Sequence, residues 1–213
     1  MTYEDVLATI QALIAKMDGN PTNSLKYEIL GDMAKIVDAG IADGAAPIDA
    51  LECNLYLGSG YFALGHYTLS LEYYGKAMTA LEKCRGSYAE DEDLVEWLEE
   101  GFINMRDMYS RMGEPDEADK LAAFVKDIAP DSYAAFTSAR RIDHIKRDPI
   151  EYTERYMAIL PELEAKLDAE LEGESRGMGF CFHLWHKKAE ILKRDYGIEW
   201  ESPGLLNPTV RFD

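Results

Sequence analysis

The sequence is poor in the residues that carry most recognisable chemistry. Of 213 residues, three are cysteine, four histidine and three tryptophan. Cys53, Cys84 and Cys181 are widely spaced and odd in number, which argues against a disulfide framework and for reduced thiols. There is no CxxC and no HExxH, and no GxSxG, P-loop or GxGxxG follows a strand, because no strand is expected anywhere. No apolar run approaches the roughly 20 residues of a membrane span. Basic residues are scarce as well: 22 Lys and Arg face 40 Asp and Glu, a formal net charge of −18. Such a chain is not expected to displace counterions from nucleic-acid phosphates or to settle on anionic lipid. Its acidic start, Met1-Thr2-Tyr3-Glu4-Asp5, lacks the basic and apolar stretches of a signal peptide. A cytoplasmic protein is therefore expected, and with 47% hydrophobic residues it can bury a core of ordinary size.

What is abundant favours helix. Ala, Leu, Glu, Lys, Met and Asp dominate, no segment alternates apolar and polar residues as a strand would, and stop signals recur every 15 to 25 residues. Thr2 opens the series Val6, Ile10, Leu13, Ile14, Met17, which Gly19-Asn20-Pro21 stops. Asn23-Ser24 opens a second series from Leu25 to Val37. Pro47 suits the first turn of a third helix, running to about Leu64, and a fourth spans about Tyr67 to Cys84. Leu94 to Met112 forms a fifth, and Gly113-Glu114-Pro115 turns into a sixth that ends at Ala129-Pro130. Asp131-Ser132 can cap a seventh, Asp148-Pro149 can start an eighth and Pro161 a ninth. A last helix covers about Gly179 to Asp195, and an irregular tail follows Tyr196.

Charge divides the chain unevenly. Residues 1–84 carry 11 acidic and 5 basic residues, 85–132 carry 14 and 5, and 133–213 carry 15 and 12. The shift near residue 131 marks the expected boundary between helical hairpins over 1–132 and C-terminal helices with a packed tail over 133–213. No flexible linker separates them, so one continuous body is expected. The run Glu90-Asp91-Glu92-Asp93 is either a site for a cation or a basic partner, or acidic residues favoured at a helix N-terminus.

Residues 54–77 carry an internal-repeat signature. Leu57, Gly58, Tyr61, Gly65, Tyr67, Ser70, Tyr74 and Ala77 stand at the spacing of two antiparallel helices in close contact. A second, sparser copy holds Phe102, Met105, Tyr109, Gly113, Ala118, Val125 and Pro130. Together, over about residues 51–132, they resemble the tetratricopeptide repeat in a divergent form. Asn54 stands where the pattern wants a large residue, Arg106 where it wants the first glycine, and Ala122 where it wants a second aromatic. The turn glycines are 48 residues apart, more than the family's repeat of 34. The alternative is a helical bundle whose small residues mark close crossings.

The resemblance implies an all-α fold of stacked antiparallel hairpins in a right-handed superhelix, whose concave face grips a protein or peptide. The face positions would be Leu55, Ser59, Phe62 and Ala63 from one hairpin, and Ile103, Asp107, Ser110 and Arg111 from the next. These lack the Lys/Asn cluster with which chaperone-binding members hold a C-terminal carboxylate. They could equally be buried against neighbouring helices. The partner implied is a neutral or basic protein or peptide, and the same faces could pair two copies into a homodimer.

The densest chemistry lies in 176–200. His183, His186 and Glu190 are spaced to share one helical face, but not in any known zinc pattern, so no metal or cofactor is assigned. Cys181 and His183 sit about 200° apart on a helix and cannot form a nucleophile pair. No catalytic residue is named. Arg176, His183, Trp185, His186 and Trp200 are the candidates for a ligand site, the basis of an alternative reading as an enzyme or a small-molecule or metal-binding protein. Arg140-Arg141, His144 and Lys146-Arg147 form the one basic patch, suited to a small anion or to pairing with the acidic middle. The tail, rich in Trp, Leu, Val and Phe, is expected to lie on the body, either packed across helix ends or occupying the groove.

Overall fold

The computed structural model describes residues 3–19, 21–139, 145–175 and 177–212, with side chains from residue 8 onward. The fold is all-α, and no strand occurs among the described residues. Among the described residues ten helices follow one another: α1 (Tyr3–Asp18), α2 (Asn23–Ala42), α3 (Pro47–Ala63), α4 (Tyr67–Lys83), α5 (Glu92–Met112), α6 (Pro115–Ile128), α7 (Tyr133–Ser138), α8 (Glu154–Glu170), α9 (Phe180–Tyr196) and α10 (Pro203–Leu206). Short 3-10 turns lie at Tyr88–Glu90 and Pro149–Tyr152. Two compact units form. The first holds residues 1–21 and 26–141, the second residues 22–25 and 142–213.

In the first unit α3 packs on α4, α5 on α6, and α5 touches both α3 and α4. The residue choices explain why. Ser70 of α4 donates through Oγ to the Gly58 carbonyl of α3 at 2.7 Å, a contact open only to a short side chain. Tyr74, 1% exposed, packs its ring against Gly58. A Cβ on Gly58 would come within 2.7 Å of its ring, and one on Gly101 of α5 within 3.1 Å. The ring is thus clamped between two glycines, and Asn104 Nδ2 donates to its hydroxyl at 3.1 Å. Leu51, Leu57, Leu81, Leu98 and Phe102 complete a core with no water contact.

Ends are set by local chemistry. Gly65 turns the chain between α3 and α4 at φ +74, and the buried His66 then caps α4, its Nδ1 accepting from the Leu69 amide at 3.4 Å. Asp91 caps α5 in the same way, accepting from the Leu94 amide at 3.1 Å. The acidic run at 90–93 therefore occupies that helix start, where the dipole favours it. Arg106, which replaces a repeat glycine, donates to the carbonyls of Phe136 and Ala139 and closes the end of α7.

In the second unit α8 packs on α9. Pro161 does not start a ninth helix; it lies inside α8. The helix begins instead at Glu154, where the Thr153 hydroxyl accepts from the Tyr156 amide at 3.3 Å. Asp148-Pro149 opens a 3-10 turn rather than an α-helix, with Asp148 accepting from Ile150 at 3.0 Å. Ser132 is buried and makes no side-chain cap for α7. Thr2 and Asn20 lie outside the described residues. No helix is long and apolar enough to cross a membrane among the described residues.

Candidate functional site

α3 and α5 lie side by side, so their sequence-selected positions can be placed directly. Leu55 is 2% exposed and seals the α3–α5 interface, where a Cβ on Gly101 would meet its Cδ2 at 3.2 Å. It is therefore core and not surface. Ser59, Phe62 and Ile103 are part-exposed, and Ala63 and Ser110 are exposed. Phe62 leans on Tyr67 with ring centroids 5.9 Å apart. Asp107 and Arg111 form an ion pair at 2.6 Å one turn apart on α5, with side chains 14% and 8% exposed. This pair neutralises itself and leaves hydroxyl, aromatic and aliphatic groups as the accessible chemistry.

In the second unit the His/Trp candidates separate. His183 is exposed and its Nδ1 sits 2.6 Å from Glu174 Oε2. His186 is exposed, while Lys187 holds Glu190 at 3.1 Å. No group of three His, Cys, Asp or Glu side chains poised to hold a metal occurs among the described residues. Trp185 packs edge-on against Phe182 at 5.4 Å and Phe212 at 4.9 Å, with Gly204 of the tail against its ring. Trp200 is elsewhere: it is buried and donates to Glu151 Oε1 at 2.6 Å. Arg176, Arg140, Arg141 and His144 lie outside the described residues. Of the basic patch, Lys146 is exposed and Arg147 approaches Glu151 at 3.9 Å.

The tail lies on its own unit. The Asn207 side chain accepts from the Lys146 amide at 2.9 Å and donates to the Lys146 carbonyl at 2.8 Å, and the Glu201 amide donates to Asp148 at 2.7 Å. Met178, Phe182, Leu205 and Val210 remain exposed there.

Sequence reasoning missed Lys188. Its ammonium lies 5.0 Å from the Trp200 ring and 5.4 Å from the Tyr156 ring. Burial alone would lower its pKa, but Tyr156, Glu151 and Glu164 outweigh burial and hold it above the ordinary lysine value. Burial pushes the Tyr156 phenol up to about 12, with Lys188 pulling the other way, and its oxygen is buried without a partner in hydrogen-bonding geometry. The signal was present: Lys188 falls on the Leu184–Ile191–Leu192 side of α9, where a lysine is out of place on an apolar stripe. Neither of two further thiols suits nucleophilic chemistry, since burial pushes Cys53 up to about 11 and raises Cys84 too.

No family model matches the chain, and neither a curated protein nor a solved structure is similar enough to count as a match.

Proposed function

We propose that the chain is a non-catalytic interaction module of tetratricopeptide-like hairpins, stacked in a right-handed superhelix, that binds a protein or peptide across the face of α3 and α5. The observation that carries this reading is the packing order, in which α3 pairs with α4, α5 pairs with α6 and the two leading helices are neighbours. That order sets Ser59 and Phe62 beside the helix that bears Ile103 and Ser110, all with surface to offer. The charge balance of 85–132 favours a neutral or basic partner. A cytoplasmic setting with reduced thiols belongs to the same proposal.

Panning a peptide library against the full chain tests it. Neutral or basic peptides should be enriched, and Phe62→Asp together with Ile103→Asp should weaken them by about tenfold or more while circular dichroism is unchanged. Failure to enrich any peptide, or equal binding by the variant, would overturn the reading.

A further inference from the structure

On the first unit, α2, α3 and α4 enclose a cleft of about 340 Å³ that the partner-binding reading does not use. Such a volume lies at the lower end of the range for small-molecule sites. Its walls are short and apolar, with Ile41, Pro47 and Ala80 among them. Three observations make it more than a packing gap. Asn54, which lines it, is 1% exposed; its Nδ2 donates to the Ala50 carbonyl at 2.6 Å, and its Oδ1 is buried with no partner. Turning the amide over would set oxygen against the Ala50 carbonyl, so the acceptor is the atom left wanting a donor. Lys76, also in the wall, is already neutralised by Asp38 at 3.0 Å and Glu72 at 3.0 Å. Lys83, two turns further along the same side of α4, has no ion-pair partner among the described residues, in a chain with nearly twice as many acidic as basic residues.

We propose that this cleft binds a small apolar carboxylic acid that carries one N–H or O–H donor. The carboxylate pairs with Lys83, the donor satisfies Asn54 Oδ1, and the apolar body lies against Ile41 and Pro47. Lys83, the one wall cation not already paired among the described residues, and the nearby Asp38 carboxylate disfavour a phosphate dianion, which needs several donors. A buried acceptor left unpaired gives the site its discrimination, because an acid lacking the donor strands Asn54 as before.

The probe is N-acetyl-L-leucine, titrated into the isotopically labelled full chain and followed by amide NMR shifts. Saturable shifts in α3 and α4 around residues 47–54 and 76–83 are expected. N-acetyl-L-leucinamide, without the carboxylate, and 4-methylpentanoic acid, without the donor, should each bind about tenfold more weakly. Lys83→Met, a change at an exposed residue, should cost about the same. Asn54→Leu should abolish binding while raising the melting temperature, since it removes the unpaired acceptor and adds apolar volume. Absence of saturation at tens of millimolar, or equal affinity for probe and comparators or for the Lys83→Met chain, would overturn the proposal. Neither result would bear on the α3–α5 face, which the panning experiment reads separately.

Discussion

The two units are held together by different chemistry. In the first, α3, α4 and α5 meet through glycines, a serine and flat aromatic rings, with the Tyr74 ring clamped between Gly58 and Gly101. In the second, α8 and α9 are laced by charge. Lys166 bridges Glu162 and Asp195, Arg194 bridges Glu170 and Asp195, and Lys188 lies against Tyr156 and Trp200. Composition explains the contrast. The 133–213 stretch has nearly as many bases as acids and uses them on itself, whereas 85–132, with 14 acidic against 5 basic residues, keeps an excess of acid. The unit that balances its own charge has little left for a charged partner. The unit that does not is the one we expect to attract one.

The largest effect should come from the aromatic clamp. Tyr74→Ala should cost about 3–5 kcal/mol in denaturant unfolding, because a fully buried ring leaves a cavity between two glycines that cannot close it. A loss near zero would show that α3 and α5 do not depend on that ring. Next is Lys188→Met, which keeps the stem but removes the cation facing Tyr156, Glu151 and Glu164 and leaves Glu151 only its longer contact with Arg147. A loss of about 2 kcal/mol is expected, less than for a fully enclosed pair because Lys188 is part-exposed. If stability rises instead, the second unit is held by apolar packing and not by charge.

A smaller effect, with a definite sign, comes from His66. Burial lowers its pKa, so the folded state prefers the neutral ring, whose Nδ1 accepts from Leu69. The unfolded chain takes up its proton near pH 6.5, before the folded one does. The stability that His66 contributes is therefore present above about pH 6.5 and is lost as pH falls from there toward the lowered folded value. His66→Asn keeps a capping oxygen without a titrating ring and should flatten that slope in a pH series of melting curves. The smallest effect belongs to Arg194→Ala. Its exposed guanidinium should contribute little, and that little should shrink with added salt.

How much of this was legible in the sequence varies along the chain. The ends of α1 to α6 were readable within a few residues because proline, glycine and capping residues sit at the breaks. The close crossing at Gly58 and Ser70 was readable because only small residues allow it. Pro161 misled, since a proline marks a helix start only where no upstream cap has already opened the helix, and Thr153 had. Leu55 could be read as groove or as core, since its burial depends on Gly101, 46 residues away, and such distant pairing leaves no local mark. Asn54 was visible as a departure from the repeat pattern. That it lines a cleft with an unpaired oxygen depends on how α2 meets α3 and α4, which periodicity does not encode. Lys188 was overlooked because lysine is read as solvent-facing by default.

Hydrogen exchange of the full chain, with and without a peptide selected by panning, locates the binding face. New protection is expected in α3 and α5, including the segments bearing Phe62 and Ile103, with exchange in α8 and α9 unchanged. Protection confined to 177–212, where Met178, Phe182 and Leu205 stand exposed, would contradict it and move the binding face to the second unit.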